Sequence, residues 1–241
     1  MEKKEFVIGI VGGMGSYATL SFFERILDRF PAKKEWERPR VIIDNRCTMP
    51  SRVRAVLYNE KREEVIESIQ ESIEYLVKMG GENTNIILAC NTSHIFLYDI
   101  LKRAPQLKGY IINIIEECAK MLQVQNVSEV FVIATEGTIE SQIYHTVFEK
   151  YGIKVQAPCE NEYSGMRYYI ELVKQNKLDD NHISEFEKYL MDFKQKNIVL
   201  GCTEFSALYR HVKHRSDQVN VIDPLDVALE ILRMRWKTEH E

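Results

Sequence analysis

The sequence predicts an α/β protein of two pseudosymmetric domains, each a parallel sheet flanked by helices, with the ligand site at their interface. Three observations carry that prediction. Short apolar runs alternate with amphipathic stretches, the pattern of βαβ units. The alternation starts afresh near Gly109. A segment of the first half, Ile86-Ile87-Leu88-Ala89-Cys90-Asn91-Thr92, is echoed in the second by Ile198-Val199-Leu200-Gly201-Cys202-Thr203-Glu204. Such self-similarity marks two copies of one supersecondary unit.

The elements follow in order. Residues 6–11 are apolar throughout and read as a buried strand, and helical spacing runs over 16–30 with Ser16 as its N-cap. A second strand is expected at 41–44. Over 60–79 the residues Val65, Ile66, Ile69, Ile73, Leu76 and Val77 recur at the helical period until Gly80 and Gly81 stop the run. A strand at 85–89 and a helix at 92–101, closed by Pro105, complete the first series. The second has a strand at 110–113, a helix at 114–122, a strand at 129–134, a helix at 137–151 and a strand at 153–155. Helices at 163–174 and 182–193, a strand at 197–200, a helix at 203–209, a strand at 219–222 and a helix at 225–236 close the chain. Asn113-Ile114-Ile115 is matched with Asn220-Val221-Ile222 as a further part of the repeat. The expected domains are residues 1–106 plus 213–241, and residues 107–212.

At 241 residues the chain is long enough to bury a real core, and 45% apolar with 28% charged residues is ordinary for a soluble protein. A net charge of -4 and no basic stripe exclude nucleic acid as a partner. The apolar runs are too short to span a membrane. Met1-Glu2-Lys3-Lys4 leads straight into the first strand without a signal-peptide pattern, so a cytoplasmic protein is expected. Five scattered cysteines with no C-x-x-C pair argue against a disulfide framework and a zinc site, and fit a reducing cytosol. Cys47, Cys118 and Cys159 read as small apolar packing residues.

Cys90 and Cys202 differ from these three. Each ends an apolar strand and opens a polar turn, at equivalent places in the repeat. The carboxyl ends of strands in parallel sheets are where ligands bind. The first helical turn beyond each cysteine offers free N–H groups that lower a thiol's pKa and can hold a carboxylate. Two thiols related by pseudosymmetry would approach one small substrate from opposite sides, as inversion of a stereocentre by proton transfer requires. His94, four residues past Cys90, is a candidate partner for a cysteine nucleophile. Gly12-Gly13-Met14-Gly15 gives a tight strand-to-helix turn and a backbone surface for a small carboxylate. Neither a Walker A pattern nor G-x-G-x-x-G is present, and nothing requires a cofactor.

At Gly9-Ile10-Val11-Gly12-Gly13-Met14-Gly15, Ala89-Cys90-Asn91-Thr92-Ser93-His94 and Leu200-Gly201-Cys202-Thr203-Glu204 the chain resembles the aspartate/glutamate racemase family. Ala134-Thr135-Glu136-Gly137-Thr138 and Val221-Ile222-Asp223-Pro224-Leu225-Asp226-Val227 extend the resemblance from end to end. It implies amino-acid racemisation without pyridoxal phosphate or metal, with Cys90 and Cys202 as paired acid and base and Cys202 taking the proton of the L-enantiomer. It implies a substrate site of Met14, Arg52, Asn91, Thr92, Ser93, Thr203 and Tyr163, with Arg52 on a substrate carboxylate. It also implies a homodimer with an amino acid as its ligand, aspartate or glutamate first and a broader range second. Tyr163 stands where such enzymes carry a lysine for an acidic side chain, and Arg46 or Arg167 could supply the replacement charge. Three other functions share the scaffold: a maleate-isomerase-like cysteine nucleophile, a single-thiol decarboxylase, and a non-catalytic protein that binds small carboxylates.

Overall fold

A computed structural model describes residues 5–213 and 218–240. The chain opens with β1 (Val7–Gly12), α1 (Ser16–Arg29) and β2 (Arg40–Asn45), followed by α2 (Arg52–Leu57), α3 (Arg62–Gly80), β3 (Thr84–Leu88) and α4 (Leu97–Arg103). The second series is α5 (Ile114–Val124), β4 (Glu129–Ala134), α6 (Glu136–Glu140), α7 (Ile143–Glu149), β5 (Lys154–Gln156), α8 (Tyr163–Lys174) and α9 (Asp180–Asp192). It closes with β6 (Asn197–Gly201), α10 (Thr203–Tyr209), β7 (Asn220–Ile222) and α11 (Pro224–His240). The strands form two parallel sheets, β2-β1-β3 and β5-β4-β6-β7, as the alternation predicts. No described helix is long and apolar enough to cross a membrane.

The two sheets repeat one topology. Ile86 bridges Ile111 in parallel, just as Ile198 pairs with Val221. Two residues on, Asn113 and Asp223 therefore stand at equivalent places, and each caps the helix that follows. Asn113 Oδ1 accepts from the backbone N–H groups of Ile115 and Glu116 at 3.2 Å, and Asp223 Oδ1 accepts from that of Leu225 at 2.9 Å. The match of Asn113 with Asn220 is thus three residues out, because the shared requirement is a polar cap and not an identical amide. Ser16 is likewise already helical, and Gly15 occupies the cap position.

Every residue of β1 and β3 is buried, since helices cover both faces, and this is why these strands read as unbroken apolar runs. Alternate residues feed different cores. Ile8 and Ile10 of β1 join Val130, Val132 and Ala134 of β4 in a central cluster, which also takes Ile115, Cys118 and Leu122 of α5 and Leu225, Leu229 and Leu232 of α11. Outer clusters lie under α3 on one side and under α8, α9 and α10 on the other. Helices α5 and α11, equivalent under the repeat, pack on each other at the centre. Strand β7 belongs to the second sheet, beside β6, although the sequence assigns 213–241 to the first domain. Residues 1–4, 214–217 and 241 of that assignment lie outside the described residues. Cys118 is buried as expected, whereas Cys47 and Cys159 are exposed and fill no core.

Candidate active site

Cys90 and Cys202 follow the ends of β3 and β6, and the loops that carry them touch. Thr203 Oγ1 donates to the backbone carbonyl of Ala89 at 3.2 Å, a buried bond between the residue after one thiol and the residue before the other. A second tie links the halves through hydroxyls: Thr92 Oγ1 lies 3.1 Å from Thr135 Oγ1 and 2.8 Å from Thr138 Oγ1. A third runs from Tyr144 OH of α7, which donates to Asn91 Oδ1 at 2.7 Å. The other end of that amide, Asn91 Nδ2, is buried and finds no acceptor among the described residues. Leaving such a donor unmet costs about 1–3 kcal/mol, so it is a ready contact for a bound carboxylate.

The turn after Cys90 is held by its own carbonyl. Ser93 Oγ donates to Cys90 O at 2.6 Å and His94 Nδ1 bonds the same oxygen at 2.9 Å. Ser93, expected on the substrate, is thus fully buried and spends its hydroxyl on the backbone. His94 is also buried, and that burial pulls its pKa from 6.5 to about 4 against the hydrogen bonds to the backbone of Cys90 and Asn91. His94 Nδ1 is thus spent on its own loop, and burial favours the neutral ring over an imidazolium paired with a thiolate. Because the folded pKa is lowered, the associated stability is complete above pH 6.5 and is lost as pH falls toward 4, about 3 kcal/mol in all. Urea unfolding at pH 7, 5 and 4 checks this, and a His94→Gln variant with an unchanged acid slope would show the assignment to be wrong.

Cys202 sits at the N-cap of α10, only 4% exposed, and its Sγ–H donates to Glu204 Oε2 at 3.0 Å. Burial pushes this thiol well above its ordinary pKa, and the charge of Glu204 and its bond to the thiol add to the rise. The Glu204 backbone N–H and the Lys174 ammonium pull weakly the other way. The sequence reading expects helix ends to lower both thiols. For Cys202 the opposite holds, since desolvation and a neighbouring carboxylate outweigh one backbone donor.

The β1–α1 turn closes the site from the side. Gly13 has φ +78°, and a Cβ there would lie 2.4 Å from the backbone nitrogen of Arg46. Met14 is buried, and its carbonyl accepts from Arg52 Nη2 at 2.5 Å. Arg52 Nη1 also donates to Pro50 O at 3.0 Å, so this guanidinium fastens the turn to the start of α2, and its buried Nε finds no acceptor among the described residues. Beside the turn, α2, the end of β4 and α8 enclose a cavity of about 220 Å³, with Val53, Ala134, Met166 and Ile170 on its apolar wall. Tyr163 lines it, its hydroxyl donating to Glu140 at 2.9 Å, and burial and that bond push its pKa up to about 12. The candidate replacement charges are already paired: Arg167 with Glu136, and Arg46 with Glu71 at 2.7 Å and Asp44 at 3.4 Å.

The structure thus gathers Cys90, Cys202, Asn91, Thr92 and Thr203, sets Met14 and Arg52 beside them, and leaves Tyr163 on the cavity rim. The sequence reading does not single out Thr135, Thr138, Tyr144, Lys174 or Glu204. Glu204 carried a legible signal, a lone charge in a helical segment otherwise of apolar and small residues, all of them buried from Thr203 to Leu208. Tyr144 carried none, because only the packing of the two halves brings it to Asn91.

A family model described as Asp/Glu/Hydantoin racemase matches residues 11–232. The chain is 25% identical over 228 residues to the broad specificity amino-acid racemase RacX of Bacillus subtilis, covering 90% of this chain and 92% of that protein. It is 28% identical over 173 residues to a glutamate racemase of Persephonella marina, a match covering 68% of this chain and 62% of that protein's length. Among solved structures, the Picrophilus torridus aspartate racemase has a TM-score of 0.76 at 24% identity, covering 98% of this chain and 94% of that one. A Francisella tularensis glutamate racemase, solved in complex with D-glutamate, has a TM-score of 0.65 at 22% identity, covering 98% and 83%. At these identities the structural likeness carries the fold alone, two parallel sheets flanked by helices.

Proposed function

The chain belongs to the Asp/Glu/Hydantoin racemase family, and from that premise we propose that it is an amino-acid racemase working through Cys90 and Cys202 as paired base and acid. The observation that carries this reading is the bond from Thr203 to Ala89, which fastens the two thiol-bearing strand ends together across the halves. One thiolate removes the Cα proton of a bound amino acid, and the opposite thiol delivers a proton to the other face. The configuration inverts and the negative charge passes from one sulphur to the other. The buried Asn91 amide donates to the substrate carboxylate, where charge collects as the proton leaves. Two thiols and these donors suffice for the reaction, so the reading invokes neither pyridoxal phosphate nor metal. Burial beside Glu204 favours Cys202 as a thiol in the resting enzyme, ready to act as the acid of the pair. By the resemblance noted above, that form turns over the D-enantiomer.

Aspartate and glutamate are the first substrates to try, and one observation favours a broader range. An acidic side chain entering the cavity would have to displace Glu136 from Arg167 or Glu171 from Lys174. A neutral side chain needs only the apolar wall of Val53, Met166 and Ile170. Incubation with each L-amino acid in deuterated water, followed by NMR of the Cα position and by optical rotation, tests the reading. The expected outcome is Cα deuteration with loss of rotation for at least one amino acid and for several if the range is broad. No exchange with any amino acid would overturn it.

A further inference from the structure

An asparagine side chain can lie either way round, exchanging the acceptor Oδ1 for the donor Nδ2, and at Asn91 the choice has consequences. The main chain there is already fixed. It is helical, with φ -63° and ψ -45°, and the Asn91 carbonyl accepts from the His94 backbone N–H at 3.1 Å. What remains free is the end-for-end setting of the amide. Asn91 is 2% exposed, so bulk water does not reach in to satisfy both ends equally. The group that meets the amide comes from the other half of the molecule: Tyr144 OH of α7, 2.7 Å from Oδ1. Tyr144 is itself buried in the central cluster, edge-on to Phe148 at 5.3 Å between ring centres.

A count of donors and acceptors fixes the setting. A tyrosine hydroxyl has one proton to give. The Asn91 amide is its one hydrogen-bond partner among the described residues. Facing Oδ1, the hydroxyl spends that proton on a good acceptor and leaves Nδ2 unengaged on the far side. Turned round, Nδ2 would donate to the hydroxyl oxygen, and both the O–H proton and Oδ1 would be left without partners. Buried polar atoms without partners are costly, so the first setting prevails. Burial, with the charges of Cys118, Asp223 and Cys202 adding to it, holds the Tyr144 pKa well above the ordinary tyrosine range, and the proton stays in place.

From this geometry, and resting on the racemase reading, we infer that Tyr144 is a positioning residue whose hydroxyl sets the Asn91 amide with Nδ2 toward the substrate carboxylate. The loop after Cys90 carries the donor, and α7 of the opposite half aims it. With the amide reversed, Oδ1 would face the carboxylate, and two acceptors would repel each other where charge collects as the Cα proton leaves. The donor is therefore correctly set only while the two halves are packed together.

Tyr144→Phe tests this, since it keeps the buried ring and removes only the oxygen. A hydrogen bond to a charged group is worth about tenfold or more, so kcat/KM is expected to fall by about that factor for the amino acid that wild type exchanges fastest. The decisive reading is the double-mutant cycle with Asn91→Ala. In that background Tyr144→Phe should change kcat/KM by less than about twofold, whereas a hydroxyl that merely supports the fold costs the same in both. The amide also reports directly. Its Nδ2 pair in a proton–nitrogen correlation spectrum, identified by its absence in Asn91→Ala, should shift when wild type is given that amino acid and stay in place in Tyr144→Phe. Equal losses in the two backgrounds, or a Tyr144→Phe enzyme that binds and turns over like wild type, overturn the inference and leave the racemase reading standing. A wild-type protein inactive on every amino acid removes both.

Discussion

Alanine at either Cys90 or Cys202 will lower racemisation by at least about a thousandfold while leaving the protein folded. In the proposed mechanism each thiol carries the Cα proton on one face, and general acid–base transfer contributes about 10²–10⁴ per group. The two losses are not additive, because removing one thiol already halts the exchange of protons between faces. Little else changes. Cys202 leaves a space of one sulphur atom, and Cys90 is only half-buried. Circular dichroism and thermal unfolding establish that the fold persists, and optical rotation measures the activity. Full activity in either variant would sink the two-thiol mechanism. Serine at either position, incubated with substrate and examined by mass spectrometry, separates this chemistry from that of a cysteine nucleophile. A covalent adduct on the remaining thiol would favour the maleate-isomerase-like alternative.

The largest effect on stability is expected at Asp223. Its carboxylate lies 2.9 Å from the guanidinium of Arg25, accepts from Ser206 Oγ at 2.9 Å and caps α11 through the backbone N–H of Leu225. Both Arg25 and Asp223 are buried, and these contacts join α1, α10 and α11. Asp223→Ala strips three partners at once and leaves Arg25, among the described residues, with the half-exposed Asp226 at 2.6 Å. Breaking a buried pair by deleting one partner costs about 3–5 kcal/mol, mostly for the charge left behind. For a chain of this size that amounts to a fall in Tm of roughly 10 °C. Asp223→Asn, which keeps an acceptor for Ser206 and the helix cap, should cost less. A change below about 1 kcal/mol in Asp223→Ala, measured by denaturant unfolding, would show that the pair contributes nothing net.

Much of this architecture is legible in the residues. Strands covered on both faces must be apolar throughout, and helices covered on one face repeat their apolar residues every three or four positions, so 6–11 and 60–79 declare themselves. The repeat brings Cys90 and Cys202 to equivalent strand ends before any coordinate is known. What is hidden depends on tertiary neighbours. The helical stretch expected over 137–151 breaks at Gln142, which turns left-handed with φ 54°, and nothing local announces it. Helix α2 is too short to show a period. Strand β7 pairs with the second sheet because Val221 meets Ile198, a choice its three residues do not encode. Among the site residues, Asn91 and Thr203 follow from their motifs. The raised pKa of Cys202 does not, because it depends on how deeply the thiol lies and on which oxygen of Glu204 reaches it.

The packing of α5 on α11 says something about ancestry. A single half, cut from the chain, would bare the apolar face of its last helix and could hide it only against a copy of itself. The chain is in effect a twofold dimer fused into one polypeptide, with an isologous interface at its centre. In a strict homodimer both arms of the site would be identical, and so would their affinities for a proton. Fusion lifts that constraint. Where the first arm carries Thr92, the second carries Glu204, and the two sulphurs are free to diverge into a proton giver and a proton taker. The frame thus keeps its symmetry while the residues after the two thiols differ, Asn91-Thr92-Ser93-His94 in one arm and Thr203-Glu204-Phe205-Ser206 in the other.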